Sequence, residues 1–216
     1  MMHPEFYDEA PTLRVFDPLS AFLGAVEDGI IEYTYLDAVK LAGHSCPTVA
    51  GAYLMTLKAL HRLYGEALPV RGEIEVHCRG RADEGTTGVV ANVAALLTGA
   101  TRETGFKGIA GRFDRRNLLF FGAPIDGELG FRRCDTGATV QARFNAELVP
   151  SGPAMRELFQ RMLAGVASEA GAAAFRAMWQ DRVRRILVEH GDDPALVALA
   201  DDPIEPVAPS CAAAHV

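Results

Sequence analysis

The stretch "GHSCPTVAG" at 43–51 sets an imidazole and a thiol two residues apart, with a proline directly after the thiol. Both groups bind borderline-soft ions such as zinc, and a histidine beside a cysteine can also activate the sulfur as a nucleophile. Pro47 suits the first position of a helix, because its missing N–H would be unpaired there anyway. Cys46 then stands at or beside the N-cap, where unpaired amides and the positive end of the helix dipole favour a thiolate. His44 lies in the loop just before it, and a bend in that loop lets both side chains converge on one ion. The plainer reading is a buried cysteine filling a core gap next to an unrelated histidine, since a lone His-x-Cys pair often arises by chance.

A second pair, His77 and Cys78, lies in "GEIEVHCRG" (72–80). The alternation predicts a strand with Ile74, Val76 and Cys78 on one face and Glu73, Glu75 and His77 on the other. Only one member of this pair can therefore serve a given site. Joined to His44 and Cys46, either His77 or Cys78 makes three protein ligands and leaves a position open to water or substrate, the pattern of catalytic zinc. Without a metal, Cys78 reads as a small buried hydrophobe and His77 as a sheet residue paired with a glutamate.

The elements that must hold these groups follow from periodicity and punctuation. A helix is expected over 20–29 with Ser20 as cap, a short strand over 30–35 and a short helix over 36–43 ending at Gly43. From Pro47 the stripe Val49, Tyr53, Leu54, Leu57 and Leu60 predicts a helix that Gly65 stops. Residues 86–99 read as a buried helix, 101–117 as a loop and 118–121 as a strand, with 129–134 and 138–146 forming a hairpin. After Pro150 two helices are expected, striped by Met155, Leu158, Phe159, Met162 and Val166 and by Phe175, Trp179, Val183, Ile186 and Leu187. The fold class is α+β: a mixed β-sheet flanked by helices, with a C-terminal helical extension. The domain reading is a core over 1–150, a two-helix extension over 151–200 and a flexible tail over 201–216.

The segment "DAVKLAGHSCPTVAGAYLMTLKAL" resembles the signature of the FmdE family, named for a component of formylmethanofuran dehydrogenase: a His-x-Cys-Pro motif leading into an apolar helix. Farther on, "VVANVAALLTGAT" followed by "GFKG" is similar to that family's second block. The resemblance spans about residues 36–121. It implies a thioredoxin-like α+β core, zinc at a site in that core and, in some members, a separate C-terminal zinc finger. Residue by residue, His44, Cys46 and Pro47 match the first motif, and Thr98, Gly99 and Thr101 match the second. Ala100 stands where the second block has cysteine, Asn92 where aspartate is usual, and Ala42 replaces a frequent histidine. Lys107 aligns with the lysine of a Gly-Lys-Gly turn, where it would stabilise an anion. After residue 150 only Cys211 remains, so the zinc finger is absent.

Composition bounds the remaining choices. The chain has 216 residues, a hydrophobic content of 49% and a formal net charge of −7. An acidic balance without a clustered basic stripe argues against a nucleic-acid partner. Four cysteines without a CxxC pair suggest free thiols in a reducing compartment, and with no leader or apolar span read from the sequence, the expectation is a cytoplasmic protein without a membrane partner.

The leading reading is an FmdE-like metal-binding protein. Its candidate metal ligands are His44, Cys46, His77 and Cys78, its candidate catalytic residues are Cys46 and Lys107, and its ion is zinc. The competing readings are a metal-free reactive thiol at Cys46, a haem carrier with Cys46, His44 or His77 as axial ligand, and a non-catalytic accessory protein that docks on a larger enzyme. A homodimer and a small-molecule ligand are the expected partners.

Overall fold

The computed structural model describes residues 3–205. The chain opens with strand β1 (Leu13–Phe16), helix α1 (Pro18–Leu23) and strand β2 (Ile30–Tyr33); β1 and β2 pair antiparallel as a separate ribbon. Asp17, not Ser20, caps α1: its Oδ1 accepts the amides of Leu19 and Ser20, both at 3.0 Å. Helix α2 (Tyr35–Ala42) starts with a capping box between Thr34 and Asp37 and ends at Gly43 in the left-handed conformation, as its glycine suggested. Helix α3 (Pro47–Tyr64) begins shortly after, at the expected proline.

Then come strand β3 (Ile74–Cys78), helix α4 (Thr87–Thr98), and two three-residue strands, β4 (Lys107–Ile109) and β5 (Arg112–Asp114). These two form a small hairpin inside the segment that composition marked as a loop. Strands β6 (Leu119–Phe121), β7 (Leu129–Arg133) and β8 (Thr139–Phe144) precede helices α5 (Pro153–Leu163) and α6 (Glu169–Arg184) and a final strand β9 (Val197–Ala200). The main sheet has the order β6-β3-β7-β8-β9. Only β3 and β6 run parallel, so the sheet is mixed and the class is α+β as expected.

Helix α3 is more central than an amphipathic stripe implies. Every residue from Val49 to Leu57 is buried. Small residues allow this: a Cβ on Gly51 would stand 2.5 Å from the ring of Phe144, so the glycine sets how closely α3 rests on β8. The one side-chain hydroxyl of that run on an aliphatic residue, Thr56, donates its proton back to the Ala52 carbonyl at 2.8 Å.

Strand β3 is likewise buried on both faces. Ile74, Val76 and Cys78 share one apolar cluster with α3 and α4. On the other face Gly130, the register partner of His77, lies under Ile125 and Ile204; a Cβ there would meet Ile204 at 2.6 Å. The cover comes from residues 123–127 and 201–204, segments distant in sequence from β3.

The segment after Pro150 holds the two expected helices and more. Val183, Ile186 and Leu187 belong to the same buried cluster as α3, and β9 pairs with β8 at the sheet edge. Just beyond β9, Asp201 takes a bidentate pair with Arg62 (2.5 and 3.1 Å), and the Asp202 carbonyl accepts the Thr139 hydroxyl at 3.0 Å. The rest of the tail, 206–216, including Cys211, lies outside the described residues. Cys46 and Cys78 are free thiols, whereas Cys134 is disulfide-bonded and departs from the expectation of free thiols throughout. Among the described residues no helix is long and apolar enough to cross a membrane.

Candidate functional site

Cys46 is the N-cap of α3 itself. Its backbone is extended (φ −153°, ψ 167°), and its Sγ accepts the Val49 amide at 3.5 Å. A sulfur in this position takes the place usually filled by a serine or aspartate oxygen, satisfying one of the free first-turn amides. The residue keeps 8% of its surface exposed.

The loop that carries Cys46 is pinned from two sides. Trp179 of α6 donates its Nε1 proton to the Ser45 carbonyl at 2.9 Å, and the hydroxyls of Tyr35 and Ser45 lie 3.0 Å apart. Burial pushes the Tyr35 phenol far above its ordinary value, so the ring serves as a neutral hydrogen-bonding post. These three residues escaped the sequence reading. An aromatic stripe on α6 was visible, but nothing local says that its tryptophan reaches back across 134 positions to this loop.

His44 is exposed on the same loop, with Nδ1 at 2.9 Å from the Ala42 carbonyl. A carbonyl oxygen only accepts, so Nδ1 carries the proton, and in the neutral ring Nε2 keeps the free lone pair. That is the arrangement of a metal-ligating imidazole, whose second nitrogen is oriented by a backbone carbonyl.

The second His–Cys pair is differently placed. His77 is fully buried on β3 and stacks on Phe120, ring centroids 4.9 Å apart. Its Nε2 lies 3.3 Å from Oε2 of Glu75, and Oε1 of that carboxylate receives Arg132 at 3.2 Å. Among the described residues its Nδ1 has no hydrogen-bond partner. Cys78 is 1% exposed on the helix-packed face of the sheet. Burial, with the Glu128 carboxylate adding to it, pushes its thiol up to about 12, so at neutral pH the sulfur is protonated and a poor ligand. It lines a cleft of roughly 230 Å³ with Glu128, Thr86 and Thr87, and burial raises the Glu128 carboxyl in turn. A second, more open cleft of roughly 350 Å³ lies along β6 beside Arg102, Asn117 and Phe121. Neither cleft is lined by His44 or Cys46.

The four candidate ligands therefore do not come together in one chain: among the described residues no group of three His, Cys, Asp or Glu side chains could hold a metal ion. His44 and Cys46 form a pair of donors on one loop, while His77 and Cys78 face opposite sides of the sheet. Lys107 is exposed on the β4–β5 hairpin, which leans toward α1 through the rings of Phe113 and Phe22, 5.2 Å apart. Ala100, at the family's cysteine position, is buried, and Asn92 is exposed.

The best-paired polar cluster lies elsewhere and was missed in the sequence. Asp17, 2% exposed, receives Arg71 at 2.9 Å and Arg115 at 2.6 and 2.8 Å while capping α1. Burial alone would raise this carboxyl, but hydrogen bonds from Arg115, the Ser20 amide and Arg71 outweigh it and hold it below the usual carboxylate range. Arg71 also donates to the Leu96 carbonyl, so the cluster fastens the start of α1 to the end of α4.

No protein-family model matches the chain, and no curated protein matches it either. Among solved structures, the chain is similar to an FmdE-like protein of the tungsten formylmethanofuran dehydrogenase type from Syntrophus aciditrophicus. The likeness has 17% identity and a TM-score of 0.44, over 81% of this chain and 74% of that one.

Proposed function

We propose that this chain is a metal-binding protein of FmdE-like type whose ion, zinc, is held by Cys46 Sγ and His44 Nε2 at the N-terminus of α3. One observation carries the reading: both donors are already oriented by the backbone. The Val49 amide points at the sulfur and the Ala42 carbonyl fixes the imidazole, leaving Nε2 unprotonated in the neutral ring. The thiolate–imidazole pair suits zinc's preference for sulfur and nitrogen. It is only half of a usual set, so the reading includes donors from outside the described residues. If bound with an open position, zinc would supply Lewis acidity to a small molecule. What this chain contributes is the orientation of the two donors and the positive helix end beside them.

The test is metal content after purification without added chelator, in the parent and in Cys46→Ser and His44→Gln. Tightly held zinc in the parent and its loss in both variants is the expected result. Parent protein without metal, also unable to take up cobalt with a sulfur-to-metal absorption band, would end the reading.

A second reading is favoured by the sulfur's position as the actual cap: a metal-free thiol site at Cys46, steadied by the Val49 amide. Rapid alkylation of Cys46 in metal-free protein at mildly acidic pH, slowed in His44→Gln, supports it.

A further inference from the structure

The donor set raises a question of number. Zinc at protein sites is almost always four-coordinate. The described residues bring two donors together and no third. Those two stand at the surface, His44 exposed and Cys46 with its remaining 8%. Around the loop lies an apolar rim that nothing in the described chain covers. Leu41, at the end of α2, is 48% exposed. Trp179, bonded to Ser45, stacks on Phe159, which is 38% exposed, and one turn on along α5 Leu163 is 68% exposed. Exposed apolar residues bordering an incomplete polar site are the pattern of an interface whose centre is the site.

We propose that a second copy of this chain completes the site, so that one zinc ion lies on a two-fold axis and takes Cys46 and His44 from each protomer. This rests on the zinc reading above and goes beyond it by naming the missing ligands. A two-fold axis brings the same patch of both copies together, so a half-set of two donors becomes a Cys2His2 set without any further residue type. The rim residues Leu41, Phe159 and Leu163 then pack against their own symmetry mates. The α5–α6 hairpin, which grips the donor loop through Trp179, becomes part of the same interface. Dimerisation and metal binding are then linked, each strengthening the other.

The experiment is native mass spectrometry of the full chain under reducing conditions, titrated with zinc and then with a chelator. One zinc per two chains is expected, with the dimer falling to monomer on chelation. Cys46→Ser and His44→Gln should each be folded monomers by circular dichroism that hold no zinc, while Leu163→Glu should raise the zinc concentration needed for dimers at least tenfold. One zinc per monomer would overturn the second-copy proposal and leave the zinc reading standing. So would loss of zinc in the full-length Cys211→Ser, His215→Gln variant with the mass unchanged. A dimer that persists without zinc and in Cys46→Ser would overturn it as well. No zinc under any condition would remove both.

Discussion

Two His–Cys pairs, 44/46 and 77/78, use the same side chains to opposite ends. The first lies in the short loop between α2 and α3, where the chain is irregular and both groups can lean on backbone atoms while keeping a free face. The second lies in a strand buried on both faces, where alternation drives the imidazole and thiol apart and the surroundings fix each one: His77 against Glu75 and Phe120, Cys78 within the apolar cluster. Residue type alone says nothing about which pair is available for chemistry. The backbone decides it, because a loop can bend two neighbours toward one point and a strand cannot.

The sharpest test of that contrast is thiol chemistry. With its thiol pushed up to about 12, Cys78 is ionised in about one molecule in ten thousand at pH 8 and is 1% exposed besides. Native protein treated with iodoacetamide should carry its label at Cys46, with Cys78 modified at least about a hundredfold more slowly; in denaturant both should react alike. Peptide mapping that finds Cys78 labelled first would reverse the assignment of the two environments. Next in size is the buried network behind Cys78. Glu75→Ala removes the partner of both His77 and Arg132 and should cost about 3–5 kcal/mol in urea unfolding. Metal content of the folded fraction should not change. A loss under about 1 kcal/mol would mean that the network contributes little to holding the sheet's second face.

How much of this was legible follows from range along the chain. The start of α3 at Pro47 and its stop at Gly65 were readable, because proline and glycine act on their own turn. The faces of β3 were readable too, since alternation is local; its complete burial was not, because Ile125 and Ile204 arrive from other parts of the chain. Ser20 lost the cap to Asp17 because an aspartate that also attracts Arg71 and Arg115 outweighs a nearer serine. The β4–β5 hairpin has three-residue strands whose turn needs positive φ at Ala110 and Gly111, a pattern too short for periodicity to register. The same rule covers the site: two donors within one turn were visible, and the search for a third along the sequence pointed to a strand that folding put elsewhere.

Asp17 allows an acid test that the candidate site does not share. Its carboxyl is depressed by the two arginines and the helix amides, so the folded state binds its proton less readily than the unfolded chain. The stability it contributes is fully present above the ordinary aspartate range, near about pH 4, and is lost as pH falls through the depressed value. Asp17→Asn should cost about 2–3 kcal/mol at pH 7 and flatten the acid side of the stability curve, while leaving metal binding at Cys46 unchanged. An acid limb as steep as in the parent would assign that pH dependence to other carboxylates.

The smallest expected change in stability is at the site itself, and that is what makes it informative. Cys46 sits where serine is a favoured cap, and a serine oxygen can take the Val49 amide that the sulfur now accepts at 3.5 Å. Cys46→Ser should therefore leave the unfolding free energy within about 1 kcal/mol of the parent, or slightly above it, while abolishing zinc uptake and alkylation at this position. Cys46→Val removes both the ligand and the cap and should cost roughly 1 kcal/mol more than the serine variant. A residue kept for stability would be improved by the serine; one kept for its sulfur would lose its function and little else. If Cys46→Ser were instead markedly destabilised in zinc-free protein, the sulfur would be acting as a packed core atom, and the loop before α3 would have no claim to chemistry that β3 lacks.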